Sequence, residues 1–138
     1  MTLLFAYGSL KEGFPNASVN TGRRLPGQYR TMQRLPFYLV GDGHLPCLVL
    51  APGNGEQVIG QLFEVTEADL AAMDRLERVG KPGGYLRVRI AVQRTDAPGQ
   101  HVVDADVYVQ HPSKLDGEGP RIGPLAEYTI EHARRLAW

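Results

Sequence analysis

The chain has 138 residues, 43% apolar and 22% charged, enough for one domain with its own core and unlike a disordered segment. Its 15 basic and 15 acidic residues cancel, which argues against a binder of nucleic-acid phosphates; the single cysteine, Cys47, excludes an internal disulfide framework and a Cys-clustered zinc site. No apolar run approaches a membrane span and no basic leader precedes the first apolar stretch, so a soluble, cytoplasmic protein without a membrane partner is expected.

Sixteen glycines and ten prolines predict many turns and short elements. Leu3 to Tyr7 reads as a buried strand that runs into the glycine loop Gly8-Ser9-Leu10-Lys11-Glu12-Gly13. Phe14 to Pro26 is polar and reads as loop with one helical turn. Weak alternation from Gln28 to Arg34 precedes strands at Phe37–Val40, Cys47–Leu50 and Val58–Val65, the last with Ile59, Gln61, Phe63 and Val65 on one face. Thr66-Glu67-Ala68-Asp69 has the form of a capping box and opens a helix through Arg78. Gly80, Pro82, Gly83 and Gly84 stop it. Tyr85–Arg94 alternates apolar residues with Arg87, Arg89 and Gln93, as a half-buried strand does, and Val102–Gln110 is another strand. A glycine-rich connection, 114–124, leads to a last helix expected to begin at Pro124, with the stripe Leu125, Tyr128, His132 and Leu136. About six short strands and two helices imply an α+β fold with a strongly curled or closed sheet.

Glu77 is the most informative polar residue. At 100° per residue it shares a helix face with Leu70, Met73 and Asp74, so it lies on the buried side near the helix end. Burial and the negative end of the helix dipole both raise a carboxyl pKa, and a carboxyl tuned upward can take and return a proton near neutral pH. The alternative is a rim glutamate paired with Arg75, Arg78 or an arginine of the next strand. Tyr7-Gly8-Ser9-Leu10 is the second feature: a strand ending in a glycine loop can aim successive backbone N–H groups at one anion, or can simply be a turn. Ser9 has no histidine placed to serve as its base. The histidines His44, His101, His111 and His132 form no metal-binding pair. Gly41-x-Gly43-x-x-Pro46 is an incomplete dinucleotide fingerprint, and Asn16-Ala17-Ser18 a formal glycosylation sequon with no export signal. Tyr85, Tyr108 and Tyr128 are either core or pocket lining. The glycines and proline of residues 116–123 suggest a mobile border of that pocket.

Together these pieces resemble the γ-glutamylcyclotransferase-like family, and within it the γ-glutamylamine cyclotransferases. The resemblance runs over residues 3 to 110. It rests on Leu4-Phe5-Ala6-Tyr7-Gly8-Ser9-Leu10-Lys11-Glu12-Gly13-Phe14-Pro15-Asn16, on Leu45-Pro46, on Gly60-Gln61-Leu62-Phe63-Glu64-Val65, on Met73-Asp74-Arg75-Leu76-Glu77, and on Tyr85-Leu86-Arg87. It implies a small mixed β-barrel with flanking helices, and an enzyme of lyase or acyltransferase type releasing 5-oxoproline from a γ-glutamylamine or γ-glutamyl amino acid without metal or cofactor. It assigns Glu77 as the catalytic acid/base, and Tyr7, Gly8, Ser9, Leu10 and Tyr85 to substrate binding. A non-catalytic module binding small carboxylates on the same fold is the competing reading. The Lys81-Pro82-Gly83-Gly84 loop looks slightly longer than in the closest relatives, and the stretch from His111 onward matches less well.

Overall fold

The structure is a computed structural model and describes residues 2–41, 44–97, 101–116 and 119–134. Strands β1 (Thr2–Ala6), β2 (Arg23–Arg24), β3 (Tyr29–Thr31), β4 (Phe37–Val40), β5 (Leu45–Leu48) and β6 (Ile59–Val65) precede helix α1 (Glu67–Leu76). Strands β7 (Leu86–Arg94), β8 (Val102–Val109) and β9 (Arg121–Ile122) follow it, and helix α2 (Ile130–Arg134) comes last. One sheet has the order β1-β8-β7-β3-β6-β2, and β1 also pairs with β6. That second pairing closes β1, β8, β7, β3 and β6 into a five-stranded barrel. Only β1 and β8 run parallel (Leu4 opposite Asp106); every other pair is antiparallel, with β1 facing β6 from Thr2–Val65 to Ala6–Gln61. β5, β4 and β9 form a separate three-stranded sheet, tied to the end of β8 by a bond from the N–H of Gln110 to the carbonyl of Leu48 (2.7 Å).

The continuous apolar run of β1 follows from burial on both of its faces. Phe5 and Tyr7 join one core with Leu62, Val92, Ala105, Val107, Phe37 and Leu48. Leu4 and Ala6 join the other, where Leu70 and Met73 of α1 pack with Phe63, Val65 and Tyr108. β6 is likewise two-sided: Phe63 and Val65 face α1 while Leu62 faces the first core, so the expected single apolar face is incomplete. Gly60 is needed where β6 passes β1, because a Cβ there would stand 2.7 Å from the Phe5 ring and 2.5 Å from the carbonyl oxygen of Ala6.

The C-terminal segment departs from expectation. Helix α2 begins at Ile130, not Pro124. The carbonyl of Phe37 accepts from the N–H of Leu125 and that of Ala126 from the N–H of Ile59, both at 2.7 Å. Those bonds tie the stretch to two different strand segments and spend its backbone groups on them rather than on a helix. Leu125 and Tyr128 therefore lie outside the helix, and Leu136 lies outside the described residues. Lys11 is buried as well: its ammonium donates to the carbonyl of Tyr128 and stands 4.2 Å from the Phe14 ring centroid. Burial brings its pKa down to about 8.

Candidate active site

Helix α1 starts with a reciprocal cap. The Thr66 hydroxyl accepts from the N–H of Asp69 (3.1 Å), and the Asp69 carboxylate accepts from the N–H of Thr66 (2.8 Å). Leu70 and Met73 then anchor the helix on the barrel. Asp74 docks its far end: it accepts from the Tyr108 hydroxyl at 2.7 Å and pairs with Arg87 at 3.0 Å, while Arg87 also reaches Asp106 at 2.7 Å. Glu77 lies one residue beyond the last helical position, as the C-cap, its N–H bonded to the carbonyl of Met73 at 2.9 Å. The chain leaves through Arg78 in the left-handed region (φ 57°) and returns at Tyr85, whose N–H donates to the carbonyl of Glu77 at 2.9 Å. This bond is the neck of the 78–84 loop and fixes Glu77 beside Tyr85. Gly84 makes the neck possible, since a Cβ there would stand 1.9 Å from the Arg78 carbonyl oxygen.

Glu77 and Tyr85 open onto a cavity of about 220 Å³, lined also by Phe5, Ala6, Tyr7, Gly8, Ser9, Leu10, Asn16, Leu45, Pro46, Leu76 and Tyr108. Glu77, Tyr7, Gly8, Ser9, Leu10 and Tyr85, the residues assigned from the sequence to catalysis and substrate binding, thus share one pocket, whereas Tyr128 is core and not lining. Among the described residues Glu77 is the pocket's one carboxylic acid. Burial pushes its carboxyl up to about 7. Among the described residues no donor and no cation reaches that carboxyl: Arg87 is taken by Asp74 and Asp106, and neither Arg75 nor Arg78 pairs with it. The rim ion pair considered from the sequence is not formed.

Three tyrosines surround the carboxyl with their hydroxyls already committed. Tyr7 donates to the carbonyl of Tyr108 at 2.5 Å, Tyr108 to Asp74, and Tyr85 to the carbonyl of Pro46. Burial raises all three above the ordinary tyrosine range, and the Glu77 charge adds to it, so they stay protonated and shape the pocket as neutral groups.

The glycine loop has a consistent polarity. The carbonyls of Gly8, Ser9 and Leu10 are tied back, to the N–H of Lys11 (3.1 Å), the N–H of Asn16 (2.9 Å) and the side-chain amide of Asn20 (3.1 Å). Asn16 also donates to the Ser9 hydroxyl at 2.8 Å. Among the described residues no acceptor takes the N–H groups of Gly8, Ser9 or Leu10. A loop with its acceptors used and its donors open is suited to an anion.

Asn16, Tyr108, Leu45, Pro46 and Leu76 complete the lining. Asn16 stands in the sequence only as part of a formal sequon and as the end of the N-terminal signature, neither of which assigns it a role, and its bond to Ser9 spans a turn with no periodic pattern. Tyr108 reads equally as core, and it is both core and lining. The expected 116–123 border is not formed by its described residues: Arg121 and Ile122 pair with Val40 and Leu39 as β9. No described residue of the stretch lines the cavity, and Gly117 lies outside the described residues. Among the described residues no three His, Cys, Asp or Glu side chains gather as a metal set.

Comparison with known proteins gives this geometry a lineage. A γ-glutamylaminecyclotransferase of Homo sapiens is 30% identical over 144 residues, covering 87% of this chain and 93% of the relative. A γ-glutamylaminecyclotransferase B of Danio rerio is 31% identical over 116 residues, covering 80% and 60%. The crystal structure of an AIG2-like protein from Mus musculus superposes with a TM-score of 0.79 at 29% identity, covering 100% of this chain and 95% of that one; the mixed five-stranded barrel with two helices is the architecture they share. The family model for γ-glutamyl cyclotransferase, AIG2-like, matches residues 4–129. The match spans the barrel, the glycine loop and the Glu77 neck alike, and by it the chain belongs to the γ-glutamyl cyclotransferase, AIG2-like family.

Proposed function

We propose that this protein releases 5-oxoproline from a γ-glutamylamine or γ-glutamyl amino acid, with Glu77 as the single acid/base. The observation that carries the reading is the Glu77 carboxyl, without a partner among the described residues, in a lined pocket, its pKa raised to about 7. As carboxylate it takes a proton from the substrate α-ammonium. The freed amine attacks the γ-carbonyl of the same molecule and forms the new C–N bond of a five-membered lactam. The ring nitrogen of the tetrahedral intermediate must lose a second proton to become a lactam, so two protons leave the α-nitrogen in all. Glu77 relays both to the original amine, which departs as an ammonium, and the carboxylate is regenerated. Because nucleophile and electrophile belong to one molecule, folding the substrate supplies much of the rate. The open N–H groups of Gly8, Ser9 and Leu10 receive the substrate α-carboxylate or the developing oxyanion, and Tyr85 forms the wall beside the carboxyl. Incubation with a panel of γ-glutamyl conjugates should give 5-oxoproline and free amine in equal amounts. Saturable binding of every conjugate without release would leave a binding module instead.

A further inference from the structure

The reaction above fixes where the departing amine must sit. Its nitrogen has to lie within hydrogen-bond reach of Glu77 to receive the proton. The charged glutamyl head needs polar partners, and the pocket offers these at the glycine loop and Asn16. The remaining part of the lining that meets solvent is apolar. Leu45, at the start of β5, is 57% exposed, and Leu76, the last residue of α1 and the neighbour of Glu77, is 38% exposed; both line the cavity. They come from different elements, and among the described residues Glu77 is the only charged side chain in the lining. Isolated exposed leucines are ordinary on a protein surface. Two at the rim of one pocket, next to its acid, give a departing group an apolar surface to cover and no counter-charge.

We infer that Leu45 and Leu76 form the wall that receives the substituent of the departing amine and select apolar substituents over polar ones of the same length. This rests on the proposed cyclotransferase reading. Each methylene buried there should favour turnover by about fourfold. The test compares kcat/KM for 5-oxoproline release from γ-glutamyl-isopentylamide and γ-glutamyl-2-methoxyethylamide, close in size and differing in polarity. Wild-type protein should prefer the isopentyl conjugate by about tenfold or more. Leu45→Ser and Leu76→Ser should each lower that ratio severalfold, and the double variant should bring it close to one. Leu50→Ser, at an exposed leucine outside this pocket, should leave the ratio where it was, and circular dichroism should show each variant folded. A wild-type ratio near one, or a ratio untouched in the folded double variant, overturns the inference while 5-oxoproline release leaves the proposed function standing. Release from neither conjugate nor from any other γ-glutamyl compound overturns both.

Discussion

A buried carboxyl that meets neither a cation nor a hydrogen-bond donor keeps its proton to higher pH than one in water, and among the described residues nothing pairs with the Glu77 carboxyl. For catalysis this is an asset: a base near pKa 7 is deprotonated often enough to act and basic enough to take a proton from an ammonium. The acid limb of kcat/KM should therefore turn near pH 7, following the value to which burial raises Glu77. Glu77→Gln keeps the shape and removes the titrating group, so turnover should fall at least ~100-fold, measured as 5-oxoproline release from a substrate confirmed with wild-type protein. The same burial costs stability. The folded protein binds this proton more tightly than the unfolded chain, whose carboxyl titrates near the ordinary 4.5. The stabilising contribution is complete below that value and is lost as pH rises through about 7. Thermal unfolding of Glu77→Gln against wild type should show a Tm advantage for the variant that grows between pH 5 and pH 8. A constant difference across that window would mean the carboxyl is solvated.

At the scale of the elements, the placement of Glu77 depends on two joints: the docking of α1 through Asp74, and the neck between Glu77 and Tyr85. Gly84→Ala drives a methyl into the Arg78 carbonyl and must open the neck. It should cost more than about 2 kcal/mol and lower turnover together with Tm, read by thermal unfolding and the 5-oxoproline assay side by side. Elements that announce themselves locally were legible beforehand. The Thr66–Asp69 cap, the two-sided apolar run of β1 and the alternation of β7 each encode their structure within a few residues. Elements created by distant partners were not. β2 and β9 are two residues each and exist because β6 and β4 offer them an edge. Pro124 has the right chemistry for a helix start, yet Phe37 and Ile59 claim its neighbourhood first. Nothing in the glycine loop's sequence marks Lys11 as buried, and its burial becomes visible only once Phe14 and Tyr128 are placed beside it. In the site, the helical period marks Glu77 directly, whereas Asn16 and the exposed pair Leu45 and Leu76 acquire meaning only when separate elements converge.

On the scale of the whole molecule, the proposed chemistry asks the fold for a shaped pocket and one carboxyl that relays protons. The substrate brings its own nucleophile, so no metal-activated water is required. Dialysis against EDTA should leave 5-oxoproline formation unchanged; loss of activity restored by zinc or magnesium would replace this mechanism with a metal-assisted one. Among the described residues no helix is long and apolar enough to cross a membrane. The barrel is closed by β1, which takes β6 on one edge and β8 on the other. That position has a consequence in time. During synthesis the strand that leads into the glycine loop emerges before its parallel partner, Val102–Val109, and contacts so far apart along the chain form late. On the ribosome, therefore, β1 has only its β6 edge to pair with, and the barrel stays open, while Glu77 and its helix are already made. A nascent chain halted before residue 102 should carry every residue assigned to catalysis and yet turn nothing over.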